Sequence, residues 1–306
     1  MLWKKIVKIF DASTQTPAWA KNSALTPTPF LLTPDVIRIY AGFRDEAGIS
    51  RIGYVDVSSQ DPTKIIAVSP DPVLSEGNAG CFDDNGVILG DVVRDGTNIR
   101  MYYVGFQKVQ KAKFLAFTGL ATSQDGNNFT RISEAPILDR ANDARMIRAI
   151  HTAIYDEGCW KIWYAVGNGW CDINGIQYPR YNIWYTESPD GITFPGPHQL
   201  CIDVEGDEYR IGRPSVYKID GRYIMFYTKG GVTGKDYFPG VAYSDDGKNW
   251  SRRDSELGMS LSEGEGFDNR HLCYPRICIA GEKVYAFYNG NDMGVEGIGL
   301  MELVRW

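Results

Sequence analysis

The stretch YIMFYTKG, Tyr223 to Gly230, runs an apolar segment into a tyrosine and then to glycine, and it has four counterparts. VIRIYAG (36–42), NIRMYYVG (98–105), WKIWYAVG (160–167) and KVYAFYNG (283–290) follow the same design. Their anchor tyrosines are Tyr40, Tyr103, Tyr164, Tyr227 and Tyr288, at intervals of 63, 61, 63 and 61 residues. Five units of about 62 residues therefore account for almost the entire chain, and self-similarity at a fixed period is the signature of a repeat architecture.

On either side of each anchor, the same parts recur in the same order. An apolar strand precedes it: TPFLL, ILGDVV, HTAIYD, PSVYKI and PRICIA. The turns RDG (94–96), DEG (156–158) and IDG (219–221) join that strand to the anchor strand. A third strand follows, as in RIGYVDVS or NIWYTES, and three of these lead into SQDGNNF (123–129), SPDGITF (188–194) and SDDGKNW (244–250). Ser-x-Asp-Gly is turn chemistry, because Ser and Asp side chains bond local backbone and Gly accepts a positive φ. A fourth strand begins after each such turn. The pattern predicts an all-β five-bladed β-propeller with four-stranded antiparallel blades, a single domain over residues 1–306. The fifth unit ends after its third strand, and LWKKIVKIF (2–10) alternates well enough to supply the missing outer strand and close the ring.

Composition narrows the class of ligand. Hydrophobic residues make up 43% and charged residues 23%, which is globular and not disordered. The net charge is −6 with no basic block, so phosphate-backbone binding to nucleic acid is excluded as an expectation. No run approaches the roughly 18 apolar residues of a membrane span. The first residues, MLWKKIVKIFDAS, lack the apolar stretch of a secretory signal, and a cytoplasmic location is expected. Six scattered cysteines without a CxxC pair give no metal-ligand spacing, so neither metal nor cofactor is expected.

With blade number, blade length, strand endings such as IMFYTKG and YAFYNGN, and SxDGxxW turns in hand, the chain resembles the five-bladed propeller glycosidase superfamily. That group includes fructosidase-like and arabinosidase/xylosidase-like enzymes and mannoside phosphorylases. The resemblance covers the whole chain and implies a central funnel lined by the starts of the inner strands, with three carboxylates acting as nucleophile or base, general acid and pKa tuner. The family motifs place an Asp just before a Pro at the start of two inner strands, and a Glu two residues before a Pro in the fourth blade. Thirteen residues before each anchor lie Pro27, Gly90, His151, Pro214 and Pro275, and none of the residues just in front of them is acidic. The fourth blade reads Gly212-Arg213-Pro214 where Glu-x-Pro would stand.

Register separates scaffold from site. Asp83, Asp207 and Asp268 each lie 20 residues before an anchor, which marks them as repeated framework accepting backbone N–H bonds, with Phe82 and Phe267 packing between blades. Residues that fail to repeat are the functional candidates: Asp84, Glu208 and Glu263 as carboxylates, with His151 or Tyr274 assisting proton transfer. Arg148, Arg213, Arg270 and His271 would hold an anionic group, since the guanidinium fork binds carboxylate or phosphate at two points. Trp170, Tyr178 and Tyr181, in what reads as a long loop of the third blade, offer faces for sugar rings. His198, in FPGPH, is expected on the surface. The expected function is cleavage or transfer of a glycosidic bond of a carboxylated or phosphorylated sugar. The alternative is a non-hydrolytic protein binding a glycan or nucleotide-sugar intermediate. A pure interaction propeller would not need the charged inner-strand starts.

Overall fold

The computed structural model describes residues 1–232 and 237–306. Its elements are strands and two short 3-10 turns. Strand β1 (Leu2–Asp11) comes first. Four antiparallel sets follow. The first is β2 (Asn22–Thr33), β3 (Val36–Arg44), β4 (Ser50–Ser58) and β5 (Ile65–Val68). The second is β6 (Val87–Asp95), β7 (Asn98–Gln107), β8 (Leu115–Ser123) and β9 (Thr130–Arg131). The third is β10 (Ile147–Asp156), β11 (Cys159–Ile173), β12 (Ile176–Ser188) and β13 (Gln199–Ile202). The fourth is β14 (Glu208–Ile219), β15 (Arg222–Gly231), β16 (Phe238–Ser244) and β17 (Ser251–Arg252). Strands β18 (Cys273–Ala280), β19 (Lys283–Asn289) and β20 (Gly297–Arg305) then pair in order, and β20 takes β1 as its outer neighbour, from Leu2↔Arg305 to Asp11↔Gly297.

Short parallel bridges, Ile147↔Ala116 with Arg148↔Phe117 and Tyr181↔Arg210, join the second, third and fourth sets into one continuous sheet. The first strands also approach one another in turn: β2 with β6, β6 with β10, β10 with β14, β14 with β18, and β18 with β2. Turn chemistry fixes the hairpins. Glu157-Gly158 and Asp220-Gly221 both carry positive φ at their two residues, the geometry whose twist matches that of the flanking strands.

The anchors are the deepest part of the packing. Tyr40, Tyr103, Tyr164, Tyr227 and Tyr288 are all essentially fully buried between sets. The sets are also locked by a recurring hydrogen bond into the next set's Ser-x-Asp-Gly turn. Tyr40 Oη donates to Gly126 O at 2.8 Å, Tyr102 Oη to Gly191 O at 3.0 Å, and Trp163 Nε1 to Gly247 O at 2.8 Å. Each acceptor is a glycine at φ 73 to 75°, so the turn residue that permits the bend also presents the carbonyl.

Two expectations need correcting. The stretch around Trp170 is not a loop: β11 and β12 continue as a two-stranded ribbon, with Trp170↔Pro179 and Cys171↔Tyr178 in register. Asn174-Gly175, at φ 53 and 79°, makes the turn at its tip, and this Asn-Gly signal was present in the sequence. Two of the scaffold aspartates, Asp83 and Asp268, do hold the units, but by bonding side chains instead of backbone N–H groups. Asp83 accepts from Arg131 Nε at 2.8 Å, and Asp268 from Tyr288 Oη at 2.8 Å and Lys5 Nζ at 2.6 Å. Among the described residues, no helix is long and apolar enough to cross a membrane.

Candidate functional site

Every first strand slips its register at a shared place, thirteen residues before its anchor, and β2 and β14 carry further shifts besides. The shared slips fall between Leu25 and Thr28, Leu89 and Asp91, Ile150 and Thr152, Gly212 and Ser215, and Cys273 and Arg276. A β-bulge of this kind inserts unpaired residues and re-aims a side chain. Three of the bulges contain a non-glycine residue with left-handed backbone: Thr26 at φ 53°, Arg213 at φ 56° and Tyr274 at φ 58°, each followed by proline. That conformation costs about 1–2 kcal/mol per residue and persists where the surroundings enforce it, most often at functional sites. The second bulge is Gly90, where an added Cβ would meet Ile150 O at 2.3 Å and Tyr102 O at 2.7 Å. The third is His151.

Four of the five bulges, those of Thr26, His151, Arg213 and Tyr274, face a cavity of two joined chambers, of about 350 and 370 Å³. Arg44, Lys113, Arg213, Tyr274, Phe114 and Ile88 line both. The first chamber adds Thr26, Ser50, Asn85 and Asp292, and the second adds His151, Tyr178, Tyr181, Arg210 and Tyr237. Aromatic rings interlock around the second. Tyr181 and Tyr237 share a 2.7 Å hydroxyl–hydroxyl bond, and Tyr237 meets Tyr274 edge-on at 5.5 Å.

The charges in this cavity are unbalanced. Arg210 is 5% exposed and sits among the rings of Tyr237, Tyr209 and Tyr178, at 3.7, 4.8 and 5.4 Å. Its buried Nε has no hydrogen-bond partner, and no carboxylate pairs with it among the described residues. Arg213 donates to the Leu89 carbonyl and lies 3.5 Å from His151 Nδ1, again without a carboxylate. Arg44, half-buried, has no ion pair or side-chain hydrogen bond among the described residues. Burial draws the Arg44 and Arg213 guanidinium groups below their ordinary value, yet arginine stays charged at any pH a protein tolerates. Among the described residues, the one carboxylate lining the cavity is Asp292, which is already paired with Arg270 at 3.0 Å. Cation–π contact offsets part of the desolvation of Arg210. Even so, buried charges of one sign without counter-charges are costly, and a cavity built this way favours an anion.

Arg276 donates to Asp91 Oδ1 at 2.8 Å, to Gly90 O at 2.6 Å and to the His151 carbonyl. Asp91 also accepts from Ala153 N at 2.9 Å. Burial pushes the Asp91 carboxyl up against the pull of Arg276. His151 is held well below its ordinary value by burial, then by Arg213 and Arg276, so its imidazole is neutral at pH 7.

Of the residues picked from sequence, the structure gathers His151, Arg213, Tyr178, Tyr181 and Tyr274 at the cavity. The others lie elsewhere. Glu208 is turned away into a cluster with Arg252 at 2.7 and 2.9 Å and Lys229 at 3.2 Å. Asp84 caps a local turn by accepting from Gly80 N at 2.9 Å, and Glu263 is exposed. Arg148 is buried beside His198, with Nη2 2.9 Å from Nε2, and contacts Asp139 O at 3.1 Å. His198 is thus no free surface residue, since Tyr164 Oη also bonds its Nδ1 at 2.8 Å. Arg270 is exposed against Asp292, and His271 Nδ1 accepts from Asp292 N at 3.0 Å, beside the first chamber. Trp170 packs edge-on against Phe114 at 5.0 Å, supporting the cavity wall from behind. Sequence reading named Arg276 among the charges of the fifth unit but missed Arg44, Lys113, Phe114, Tyr237 and the pairing of Arg276 with Asp91. Arg44 had a signal, because it is the only cation four residues beyond an anchor tyrosine.

No family model matches the chain. Uncharacterized proteins of two Mycobacterium tuberculosis strains are 29% identical to it over 304 residues, covering 99% of both chains. Among solved structures, a glycoside hydrolase matches 97% of this chain and 92% of its own, at 17% identity and TM-score 0.72. A thermostable family-43 glycoside hydrolase matches with TM-score 0.70, 17% identity and coverage of 96% and 93%. A member of the GH130 family of mannoside phosphorylases, described with hydrolases that target β-1,2 mannosidic linkages in Candida mannan, matches with TM-score 0.68, 14% identity and coverage of 98% and 90%. The chain is thus all-β and has the propeller fold of the glycoside hydrolases.

Proposed function

We propose that this glycosidase-fold chain is a single five-bladed propeller over residues 1–306, its ring closed by β1, and that its central cavity binds an anionic carbohydrate. The observation that carries this reading is the set of three guanidinium groups, Arg44, Arg210 and Arg213, facing one cavity without a carboxylate partner among the described residues. The carbohydrate class is supported by the fold of the solved neighbours and by the tyrosine and phenylalanine faces around the second chamber. Paired-carboxylate hydrolysis needs one protonated and one ionised carboxyl flanking the bond, and no such pair faces the cavity among the described residues. Binding without hydrolysis therefore leads.

A second reading, cleavage or transfer of the glycosidic bond, is favoured by the likeness to glycoside hydrolases and to the mannoside phosphorylase family. Its proton carriers at the cavity would be His151 and Tyr274. Burial moves the first down and the second up, both away from neutrality, where general acid–base catalysis is weakest. The test is calorimetric titration of the chain with glucuronic acid, sialic acid, glucose 1-phosphate and neutral glucose, followed by product analysis of each mixture. Binding of anionic sugars only, unchanged on incubation, is the expected result. Turnover would promote the second reading, and preference for neutral glucose would overturn the first.

A further inference from the structure

The cavity is divided, and its division is chemical as well as geometric. In the first chamber Thr26 and Ser50 are 6% and 7% exposed, and their hydroxyls have no hydrogen-bond partner. Buried polar groups are almost always paired, so two enclosed hydroxyls without partners in the wall beside Asn85 leave this chamber with hydrogen-bonding capacity that the described residues do not use. The second chamber is walled by the rings of Tyr178, Tyr181, Tyr237 and Phe114, which suit a flat group. Arg44, Arg213 and Lys113 belong to both chambers and so stand where the two meet, while Arg210 faces the second chamber from beside Tyr237.

We infer that the ligand has two parts joined by a diphosphate: a hydroxyl-rich sugar in the chamber of Thr26 and Ser50, a planar ring in the tyrosine chamber, and the diphosphate between them on Arg44, Arg213 and Arg210. This rests on the anionic-carbohydrate reading and narrows it. A single carboxylate answers one of three unpaired guanidinium groups. A bridging diphosphate brings two negative charges and several acceptor oxygens, and guanidinium forks match phosphate geometry. A monosaccharide acid would also leave one chamber unfilled, whereas ligand sites bury most of what they bind. A nucleoside diphosphate sugar has this composition.

Calorimetry on the intact chain decides the matter with UDP-glucose, ADP-glucose, UDP, glucose 1-phosphate and glucuronic acid as probes. The tighter of the two diphosphate sugars is expected to bind at least tenfold better than UDP or glucose 1-phosphate, with glucuronic acid weakest. Arg44→Gln should lower that affinity at least tenfold. Ser50→Val should leave UDP binding unchanged and erase the gain contributed by glucose, a pattern that general loss of folding does not produce. If glucuronic acid binds as tightly as either diphosphate sugar, the two-part ligand is overturned and the anionic-carbohydrate reading stands. If no anion binds the wild-type chain, both fall.

Discussion

Glu208 and Arg210 stand two residues apart on β14, and their fates are opposite. Glu208 is the centre of a satisfied network: Arg252 grips both its oxygens, Lys229 lies 3.2 Å away, and Arg252 and Lys229 also hold Asp254 at 2.9 and 2.6 Å. The anchor Tyr227 donates to the same Asp254. Arg210 is more deeply buried and has tyrosine rings in place of a counter-ion. A register shift between the two residues sends them to different sides of the strand. One region is complete without help and holds the fold together; the other is left charged at the expense of the empty protein's stability. A structural ion network and a binding site can be told apart by this test even when they share a strand.

The largest effect that would undo this contrast is expected at Arg213. Its replacement by Ala should reduce affinity for glucose 1-phosphate about a hundredfold, on the scale of about 1.5–3 kcal/mol for a hydrogen bond to a charged group, measured by calorimetry. An unchanged affinity would mean that the cavity arginines are framework. Next is Glu208→Gln, which strands Arg252 and Lys229. Breaking a fully buried pair costs about 3–5 kcal/mol, and partial solvent access at this cluster reduces the expectation to about 2 kcal/mol in urea unfolding at pH 7.

The pH dependence of that loss follows from sign. Burial acts to raise the Glu208 carboxyl, but Arg252 and the Glu205 N–H overcome it and hold the group below its ordinary 4.5. Its stabilisation is therefore whole above pH 4.5 and disappears as pH falls through the lower folded value. The wild-type and Glu208→Gln stabilities should converge as pH falls below 4.5 and through that lowered value; stabilities that stay apart would assign the loss to packing.

A smaller effect of opposite sign is expected at Arg210. Replacing it with Met removes an unpaired buried charge while keeping side-chain volume. The empty protein should gain about 1 kcal/mol in urea unfolding while anion affinity falls, the exchange of stability for function expected of a binding site. Destabilisation would show that the tyrosine rings alone satisfy the guanidinium. Last, Glu263→Gln should change stability by no more than about 0.5 kcal/mol and leave affinity untouched, because the side chain is exposed and away from the cavity. A loss of binding there would restore the carboxylate that sequence reading favoured.

The repeat was legible because it is local. Each anchor tyrosine sits in a period-2 strand beside turn residues, and these recur every 61 to 63 positions where anyone can align them. The same alignment marked the five positions thirteen residues before the anchors, and the structure puts His151 and the residues before Pro214 and Pro275 at the cavity; that these positions are bulges came from the structure. It misplaced Glu208 because a bulge two residues long decides which way that side chain points. It misread the ribbon of β11 and β12 as loop because glycine and aromatic content outweighed the single Asn-Gly turn signal. Arg44 and Lys113 lie outside the first strands; the repeat marks Arg44 as an unusual cation, but nothing in the sequence around either residue says that they converge with Arg213.

Propensity, spacing and φ preference act within a few residues, so the amino-acid order was enough to specify the all-β repeat and the Ser-x-Asp-Gly turns. Charge pairing is of another kind and emerged with the folded chain alone. Whether Arg252 reaches Glu208, and whether anything reaches Arg210, depends on distances between strands far apart in the chain, and ion pairing falls off over ångströms that spacing along a sequence does not measure.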